Sequence, residues 1–154
     1  MPTRALLRIG SDDLQTESFI SAIAFSPDGC LVAAADTNTP IPQVAIFNVR
    51  TGRQVKKLVS PGNQAGWVKS VAFSPDGRKL LWGERSGEVA LWELPGDCLL
   101  FREKLHAGEV ADVKFSFDGI LMASASGDRI RLRRVAKPVE VVRDLTTRPL
   151  ARPA

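Results

Sequence analysis

Apolar and polar residues alternate along this chain in short runs, and a tight-turn motif separates each run from the next. In "VAFSPDGRKLLWG", which begins at Val71, Val71 and Phe73 fall on one side of the chain and Ser70 and Ala72 on the other. A period of two residues is typical of a β-strand. A second apolar run, residues 79–83, follows the turn. The pattern therefore predicts a β-hairpin with a connection of about four residues.

The same hairpin pattern occurs three times. "IAFSPDGCLVAAA" begins at Ile23, and "VKFSFDGILMASA" begins at Val113. In the middle copy, Pro75 has the backbone angle that a turn requires, Asp76 can bond to nearby backbone, and Gly77 accepts a positive φ without strain. We therefore expect one type of tight turn at all three places and the hairpin phenylalanines in the core.

The hairpins belong to a longer repeat, because Phe25, Phe73 and Phe115 are separated by 48 and 42 residues. Such periods indicate propellers or helical arrays, and no segment shows sustained helical periodicity. Further strands are predicted after each hairpin. Third strands are predicted from Gln43, Glu88 and Arg129, and fourth strands from Arg53, Cys98 and Val139. Four short strands joined by turns are typical of one propeller blade.

The motifs "FSPDG" (twice), "FSFDG", "VALWE" and "HAGEV" resemble those of the WD-repeat β-propeller family, and the likeness covers residues 19–145. The resemblance implies an all-β fold. We expect a partial β-propeller of three four-stranded antiparallel blades plus an extra N-terminal outer strand. It also implies a non-catalytic scaffold or protein–protein interaction module whose partners the fold alone does not identify.

Members of this family often hold each blade with a hydrogen-bonded set of His, Ser or Thr, Asp and Trp, and no repeat here has the complete set. The third repeat offers His106, Ser124 and Asp128, with Arg133 in place of Trp. In the second repeat Trp92 is present, but the other positions hold Trp82, Ser86 and Gly66. The first repeat offers Asp36, with Phe47 in place of Trp. Blade stability is therefore expected to depend mainly on apolar packing between sheets.

We predict five segments along the chain. They are an N-terminal outer strand and lead-in (1–18), three blades (19–60, 61–105 and 106–145) and a basic tail (146–154). The outer strand would be Arg4–Ile9. Three blades do not close a ring, since propellers have four to eight, and an open arc would expose two apolar faces. The chain is therefore expected to be a fragment of a larger propeller or a protomer that completes one by self-association.

Composition limits the classes of function. The chain is 44% hydrophobic and 25% charged, which suits a globular domain. It has no apolar run of the roughly 18 residues that a membrane helix requires, so no membrane association is expected. Cys30 and Cys98 are far apart and form no CxxC pair, so neither a disulfide framework nor a zinc site is expected. An intracellular, cytoplasmic location follows as the prediction.

Catalysis has little support in the sequence. There is one histidine and no tyrosine, and no phosphate-binding glycine loop, zinc spacing or calcium loop occurs. A Cys98–His106 pair has no supporting motif, and the aspartates of the three turns have a local structural role. We expect no enzyme activity, no cofactor and no metal.

In propellers of this family one rim is built from the loops that enter each first strand and the loops that join second to third strands, so the resemblance implies a partner site there. The positions there are Phe19, Ser21, Ala35, Trp67, Lys69, Arg85, Glu109, Ala111 and Gly127, of which Phe19, Trp67, Lys69, Arg85 and Glu109 are the candidates for partner binding. Trp and Arg are enriched among residues that anchor protein interfaces. The alternative for Trp67 is packing against the neighbouring blade.

Basic charge is concentrated near the C-terminus, where residues 129–154 carry +6 while residues 1–128 carry −2. In "RIRLRRV", Arg131 and Arg133 alternate with Ile130 and Leu132, so one face of this strand is predicted to be cationic. The favoured interpretation is that this sheet lies at the open end of the arc, with its arginines solvated or paired with acids of a next blade. The alternative function is a nucleic-acid-associated propeller that binds through Arg129, Arg131, Arg133 and Arg134.

Overall fold

The computed structural model describes residues 19–37, 39–62, 66–136 and 141–146. These residues form twelve strands in three antiparallel sheets of four strands each, and strands adjacent in sequence are adjacent in the sheet. The first sheet contains β1 (Ile20–Phe25), β2 (Leu31–Asp36), β3 (Gln43–Asn48) and β4 (Gln54–Val59). The predicted outer strand Arg4–Ile9 and residues 147–154 of the predicted tail lie outside the described residues.

The second sheet contains β5 (Val68–Phe73), β6 (Lys79–Glu84), β7 (Glu88–Glu93) and β8 (Cys98–Lys104). The third contains β9 (Asp112–Phe115), β10 (Leu121–Ser126), β11 (Arg129–Arg134) and β12 (Val141–Thr146). The all-β prediction is confirmed. Third strands begin where the alternation places them, and fourth strands begin within two residues of their predicted starts.

The sheets pack face to face in chain order, with β1 beside β5 and β5 beside β9. One core cluster joins the first two sheets and includes Ala33, Val44, Ile46, Leu58, Val71, Leu80, Trp82 and Trp92. A second joins the second and third sheets and includes Leu81, Val89, Leu91, Phe101, Val110, Val113 and Met122. The middle sheet is therefore covered on both faces, and apolar burial of this kind is the main stabilising contribution to folding.

The three hairpin turns share one hydrogen-bonded geometry. In the second sheet, the Ser74 hydroxyl donates to Asp76 Oδ1 at 2.5 Å, and the same carboxylate oxygen accepts from the Arg78 backbone N–H at 3.0 Å. These bonds hold the pKa of Asp76 below its ordinary value, because they stabilise the ionised carboxylate. Gly77 has a φ of 71°, which confirms the predicted left-handed glycine.

Two glycines allow the third sheet to approach the second closely. A Cβ atom at Gly83 would lie 2.3 Å from Val110 Cγ1, and one at Gly87 would lie 2.1 Å from the backbone oxygen of His106. The Gly87 carbonyl accepts the backbone N–H of His106 at 3.1 Å. Any larger side chain at either position would force the sheets apart.

The prediction that all three hairpin phenylalanines lie in the core is wrong for the first sheet. Phe73 and Phe115 are partly buried and pack against the two core clusters, but Phe25 is 59% exposed. The physical reason is the position of the sheet in the arc. Phe73 and Phe115 each face a preceding sheet, whereas Phe25 belongs to the first described sheet.

Candidate partner-binding rim

Four of the predicted partner-binding residues lie together at one end of the second and third sheets. Trp67 directly precedes β5, Lys69 lies in β5, Arg85 directly follows β6, and Glu109 lies in the loop before β9. In an antiparallel sheet, the beginning of one strand and the end of its neighbour lie at the same end of the sheet. Segments that are distant in sequence therefore meet here. These four residues are called the rim cluster below.

Arg85 lies over the indole ring of Trp67. Its guanidinium carbon is 4.8 Å from the ring centroid, within the range of a cation–π interaction. The backbone N–H of Arg85 also donates to the carbonyl oxygen of Trp67 at 2.8 Å. Trp67 remains 40% exposed and belongs to neither core cluster. The indole is thus held in one orientation while it keeps an accessible surface.

Two cations of the rim cluster share one carboxylate. Lys69 Nζ lies 3.1 Å from Glu109 Oε1, and Arg85 Nε lies 3.9 Å from Glu109 Oε2. All three side chains are between 34% and 58% exposed, so these ion pairs contribute little to stability. The cluster carries one net positive charge, and its cations have donors that can bind a further acidic group.

Phe19 lies at the same end of the molecule but on the first sheet. Its carbonyl oxygen accepts the Thr37 hydroxyl at 2.8 Å, and its side chain is 78% exposed. The Ser21 hydroxyl donates to the Val68 carbonyl at 2.5 Å, which brings the start of β1 beside the start of β5. The rim therefore carries a second exposed aromatic side chain on the neighbouring sheet.

A buried acidic residue beneath the rim cluster was not predicted from the sequence. Glu84 is fully buried, accepts the Trp82 indole N–H at 2.9 Å, and forms an ion pair with Arg102 at 3.1 Å. Arg102 also pairs with Glu88 at 2.7 Å. One signal was present in the sequence: Glu84 is two residues from Trp82, so both side chains point to the same face of β6.

This network occupies the place of the polar set that the resemblance implied for the second sheet. A Cβ atom at Gly66, near the expected histidine, would lie 3.5 Å from Glu84 Oε2. Since Trp82 replaces the expected serine, the indole nitrogen of Trp92 has no hydrogen-bond partner among the described residues. Trp92 instead contacts Trp82, with ring centroids 5.2 Å apart. The second sheet thus adds a buried polar network to the apolar packing on which blade stability was expected mainly to depend.

The third sheet keeps part of the implied set. His106 Nε2 and Ser124 Oγ are joined by a buried hydrogen bond of 2.7 Å. Burial lowers the pKa of His106 below its ordinary value, and the positive charge of Arg131 lowers it further. This histidine therefore has a structural partner.

The four arginines of the basic strand do not form one exposed patch. Arg133 is buried, pairs with Glu103 of the second sheet at 3.0 Å, and lies 5.3 Å from the ring centroid of Phe101. Arg131 lies 3.5 Å from Asp144. The predicted cationic face of β11 is therefore turned towards the second sheet. Arg133 thus pairs with an acid of the preceding sheet, on β8, and Arg131 with an acid of its own sheet, on β12. The prediction that these arginines are solvated or pair with acids of a next blade is wrong for both.

The described ranges contain neither a metal-binding cluster nor a membrane-spanning helix. No group of three or more potential metal ligands occurs there, and none of the elements described is a helix long and apolar enough to cross a membrane. Cys30 and Cys98 are both exposed, and neither forms a disulfide.

Similarity to known proteins agrees with the resemblance seen in the motifs. The family model "WD domain, G-beta repeat" matches residues 10–39, 52–93 and 98–132, more than half of the chain. "WD repeat-containing protein SL1-17" from Schistosoma mansoni is 36% identical over 107 residues, covering 70% of this chain and 33% of that protein. A "Guanine nucleotide-binding protein subunit beta" from Oryza sativa subsp. indica is 29% identical over 135 residues, covering 80% of this chain and 35% of that protein. The chain thus spans about a third of the length of these relatives.

Solved structures show the same fold. "Crystal structure of RRP9 WD40 repeats" superposes with a TM-score of 0.76 at 22% sequence identity, covering 85% of this chain and 39% of that chain. "Structure of U3-55K" gives a TM-score of 0.75 at 21% identity, covering 85% and 40%. Each four-stranded sheet corresponds to a blade, and the chain belongs to the WD-repeat family of β-propeller proteins.

Proposed function

We propose that this chain acts as a protein-interaction module that binds a protein segment at the rim cluster. WD-repeat proteins are typically non-catalytic scaffolds or interaction modules. The observation that carries the proposal is the Trp67–Arg85 stack. An aromatic side chain is held in a fixed orientation at a blade edge, with 40% of its surface accessible. A rigid aromatic loses little side-chain entropy when a partner covers it, which favours an anchor role.

The charges around Trp67 favour a partner segment that combines an apolar side chain with an acidic one. The apolar side chain would cover the exposed indole. The acidic side chain of the partner could then accept hydrogen bonds from Lys69 or Arg85. These two cations lie 3.1 and 3.9 Å from the carboxylate of Glu109, which they share. Charge complementarity of this kind contributes mainly to specificity and to the rate of association. Phe19 on the neighbouring blade would extend the contact.

Nucleic-acid binding is not proposed, because Arg133 is buried and Arg131 is paired within the third sheet. Salt dependence separates the two functions. A contact to several phosphates would lose orders of magnitude in affinity over a moderate rise in salt, whereas an aromatic-anchored protein contact would lose much less. A cytoplasmic location stays a prediction.

Peptide display tests the proposal. The 154-residue chain would be panned against a library of protein-derived peptides, and the affinities of selected peptides measured by fluorescence anisotropy. We expect enrichment of peptides with an acidic residue beside a large apolar one. Trp67→Ala should weaken their binding at least tenfold, as for an interface anchor, and Arg85→Ala should weaken it less.

Ile120→Ala is the matched control, since Ile120 is 52% exposed and lies at the opposite end of the sheets, in the turn before β10. It should leave binding unchanged. Selected peptides that bind equally well to the Trp67→Ala variant would overturn the proposal. Selected peptides that lack acidic residues would overturn the proposed chemistry of the partner segment.

A further inference from the structure

Equivalent positions in the three inner strands differ in exposure according to whether another blade covers them. Two residues before the hairpin phenylalanine, Val71 is 6% exposed and Val113 is 1% exposed. Ile23 holds the same position in the first sheet and is 63% exposed. Since the side chains are of similar size, the difference follows from the lack of a described sheet over Ile23. Within the described part of the chain, the first sheet therefore presents an open face of the type that is buried in the other two.

The third sheet presents the complementary face. On the face of the first sheet that covers the second, the strand register aligns five apolar residues, which are Ala33, Ala35, Val44, Ile46 and Leu58. The register of the third sheet places five apolar residues at the same positions, which are Ala123, Ala125, Ile130, Leu132 and Leu145. The first set is at most 2% exposed, whereas Leu145 is 39% exposed and the rest of the second set is partly exposed. The third sheet thus repeats a covering face with no described sheet against it.

The hairpin turns form a row that is open at both ends. Pro27 Cδ lies 3.6 Å from the position that a Cβ atom on Gly77 would take, and Pro75 Cδ lies 3.5 Å from the corresponding position at Gly119. No described atom lies within 4 Å of that position at Gly29. Phe117, which replaces the proline in the third turn, is 99% exposed. The row therefore ends with a projecting aromatic side chain at one end and an open glycine at the other.

We propose that two copies of this chain associate head to tail, with the third sheet of one copy covering the first sheet of the other. The chain itself carries both halves of the contact. The covering face of the third sheet would meet Ile23 and Phe25, and Phe117 would meet the turn at Gly29. Contact between unlike faces is heterologous and can close into a ring. Two copies joined at both ends supply six blades, within the range of closed propellers.

Light scattering after size exclusion, over a wide range of concentration, tests the mass of the full chain. We expect a species of twice 16.7 kDa that dissociates on dilution. A wild-type chain that stays monomeric at every concentration would overturn the proposal, and it would leave other blades or other proteins as the cover of these faces. Higher aggregates without a defined stoichiometry would also overturn it.

Charge variants test which faces meet. Leu132→Asp alters only the third-sheet face, and Ile23→Asp alters only the first-sheet face. Each variant alone should be monomeric, while an equal mixture should recover a dimer, since it contains one pair of intact unlike faces. Association between like faces would survive one of the single changes and would contradict the head-to-tail arrangement. Gly96→Asp adds the same charge in the turn of the middle blade, where no described atom lies within 4 Å of a Cβ, and should leave the dimer intact.

Phe117→Ala provides a test that does not depend on the folding of the charge variants. The side chain is 99% exposed, so its removal should leave the melting temperature of the monomer unchanged. It should raise the dimer dissociation constant about tenfold or more, as for an aromatic residue at an interface. An unchanged dissociation constant would exclude the turn contact and overturn the proposed arrangement.

Discussion

At the level of single residues, Glu84 shows how this chain stabilises a blade that lacks the polar set typical of its family. Its carboxylate is fully buried and accepts hydrogen bonds from Trp82 and Arg102. A buried charge is costly unless it is paired and hydrogen-bonded. The pairing with Arg102 therefore compensates for desolvation, and without the charge of Glu84 the partly buried guanidinium of Arg102 would keep only Glu88 as its ionic partner.

We expect Glu84→Gln to lower the free energy of unfolding by about 3 kcal/mol, the scale for breaking a buried ion pair. Asp97→Asn is the matched control, because Asp97 pairs with Lys56 but its side chain is 57% exposed. An exposed pair is worth less than about 1 kcal/mol. Denaturant titration measures the free energy of unfolding of both variants. Equal decreases would mean that the buried pair stabilises the fold no more than the exposed pair does.

At the level of elements, glycine determines how closely the second and third sheets pack. Gly83 on β6 faces Val110, which is fully buried in the loop before β9. The backbone N–H of Val110 also donates to the carbonyl of Glu84 at 3.1 Å. Because residue 83 has no side chain, the loop that carries Glu109 of the rim cluster can lie against the second sheet, where the Val110 hydrogen bond holds it.

Gly83→Ala is expected to lower the free energy of unfolding by about 1–3 kcal/mol, the usual cost of overpacking a core. The new methyl group would lie 2.3 Å from Val110 Cγ1, and this clash outweighs the gain of roughly 0.5–1 kcal/mol from replacing glycine inside a strand. Gly96→Ala, where no described atom lies within 4 Å of the new Cβ, should change stability by less than about 0.5 kcal/mol. Thermal unfolding of the two variants compares them, and a stabilised Gly83→Ala chain would disprove the close approach.

At the level of the whole molecule, residues at equivalent positions of the three blades differ in whether another described blade packs against them. Phe73 packs against the cluster between the first two sheets, whereas Phe25 is 59% exposed. The same residue type in the same motif thus has two energetic roles, and the position of its blade decides which one applies.

Phe73→Ala should lower the free energy of unfolding of the monomer by about 3 kcal/mol, near the lower end for a buried aromatic because Phe73 is only partly buried. Phe25→Ala should cost less than about 1 kcal/mol at concentrations where the monomer predominates, since little of its surface is removed from water on folding. Denaturant titrations at low protein concentration give both values. Equal losses would show that Phe25 is covered within the monomer.

The sequence was sufficient for the features that local pattern determines. Two-residue alternation and the repeated turn located the strands, and repeat position alone brought Trp67, Lys69, Arg85 and Glu109 together. It was insufficient where a residue's environment comes from another blade. Arg133 is buried because Phe101 and Glu103, about thirty residues earlier, supply a ring and a carboxylate. Glu84 was missed because it directly precedes the turn residues "RSG", where an acidic residue suggests a solvated position.

The "SPDG" turns also bear on how the chain folds. Ser74 bonds Asp76 two residues away, and the Lys79 backbone N–H donates to the Ser74 hydroxyl five residues away, so each hairpin closes through contacts that are near in sequence. A hairpin forms in about 1–10 μs, and repeat proteins can nucleate in any repeat and grow outward. The middle blade packs against a described blade on each side, so it can be stabilised by whichever neighbour forms first. Early protection from hydrogen exchange should therefore be found first in β5–β7 and spread from there in both directions.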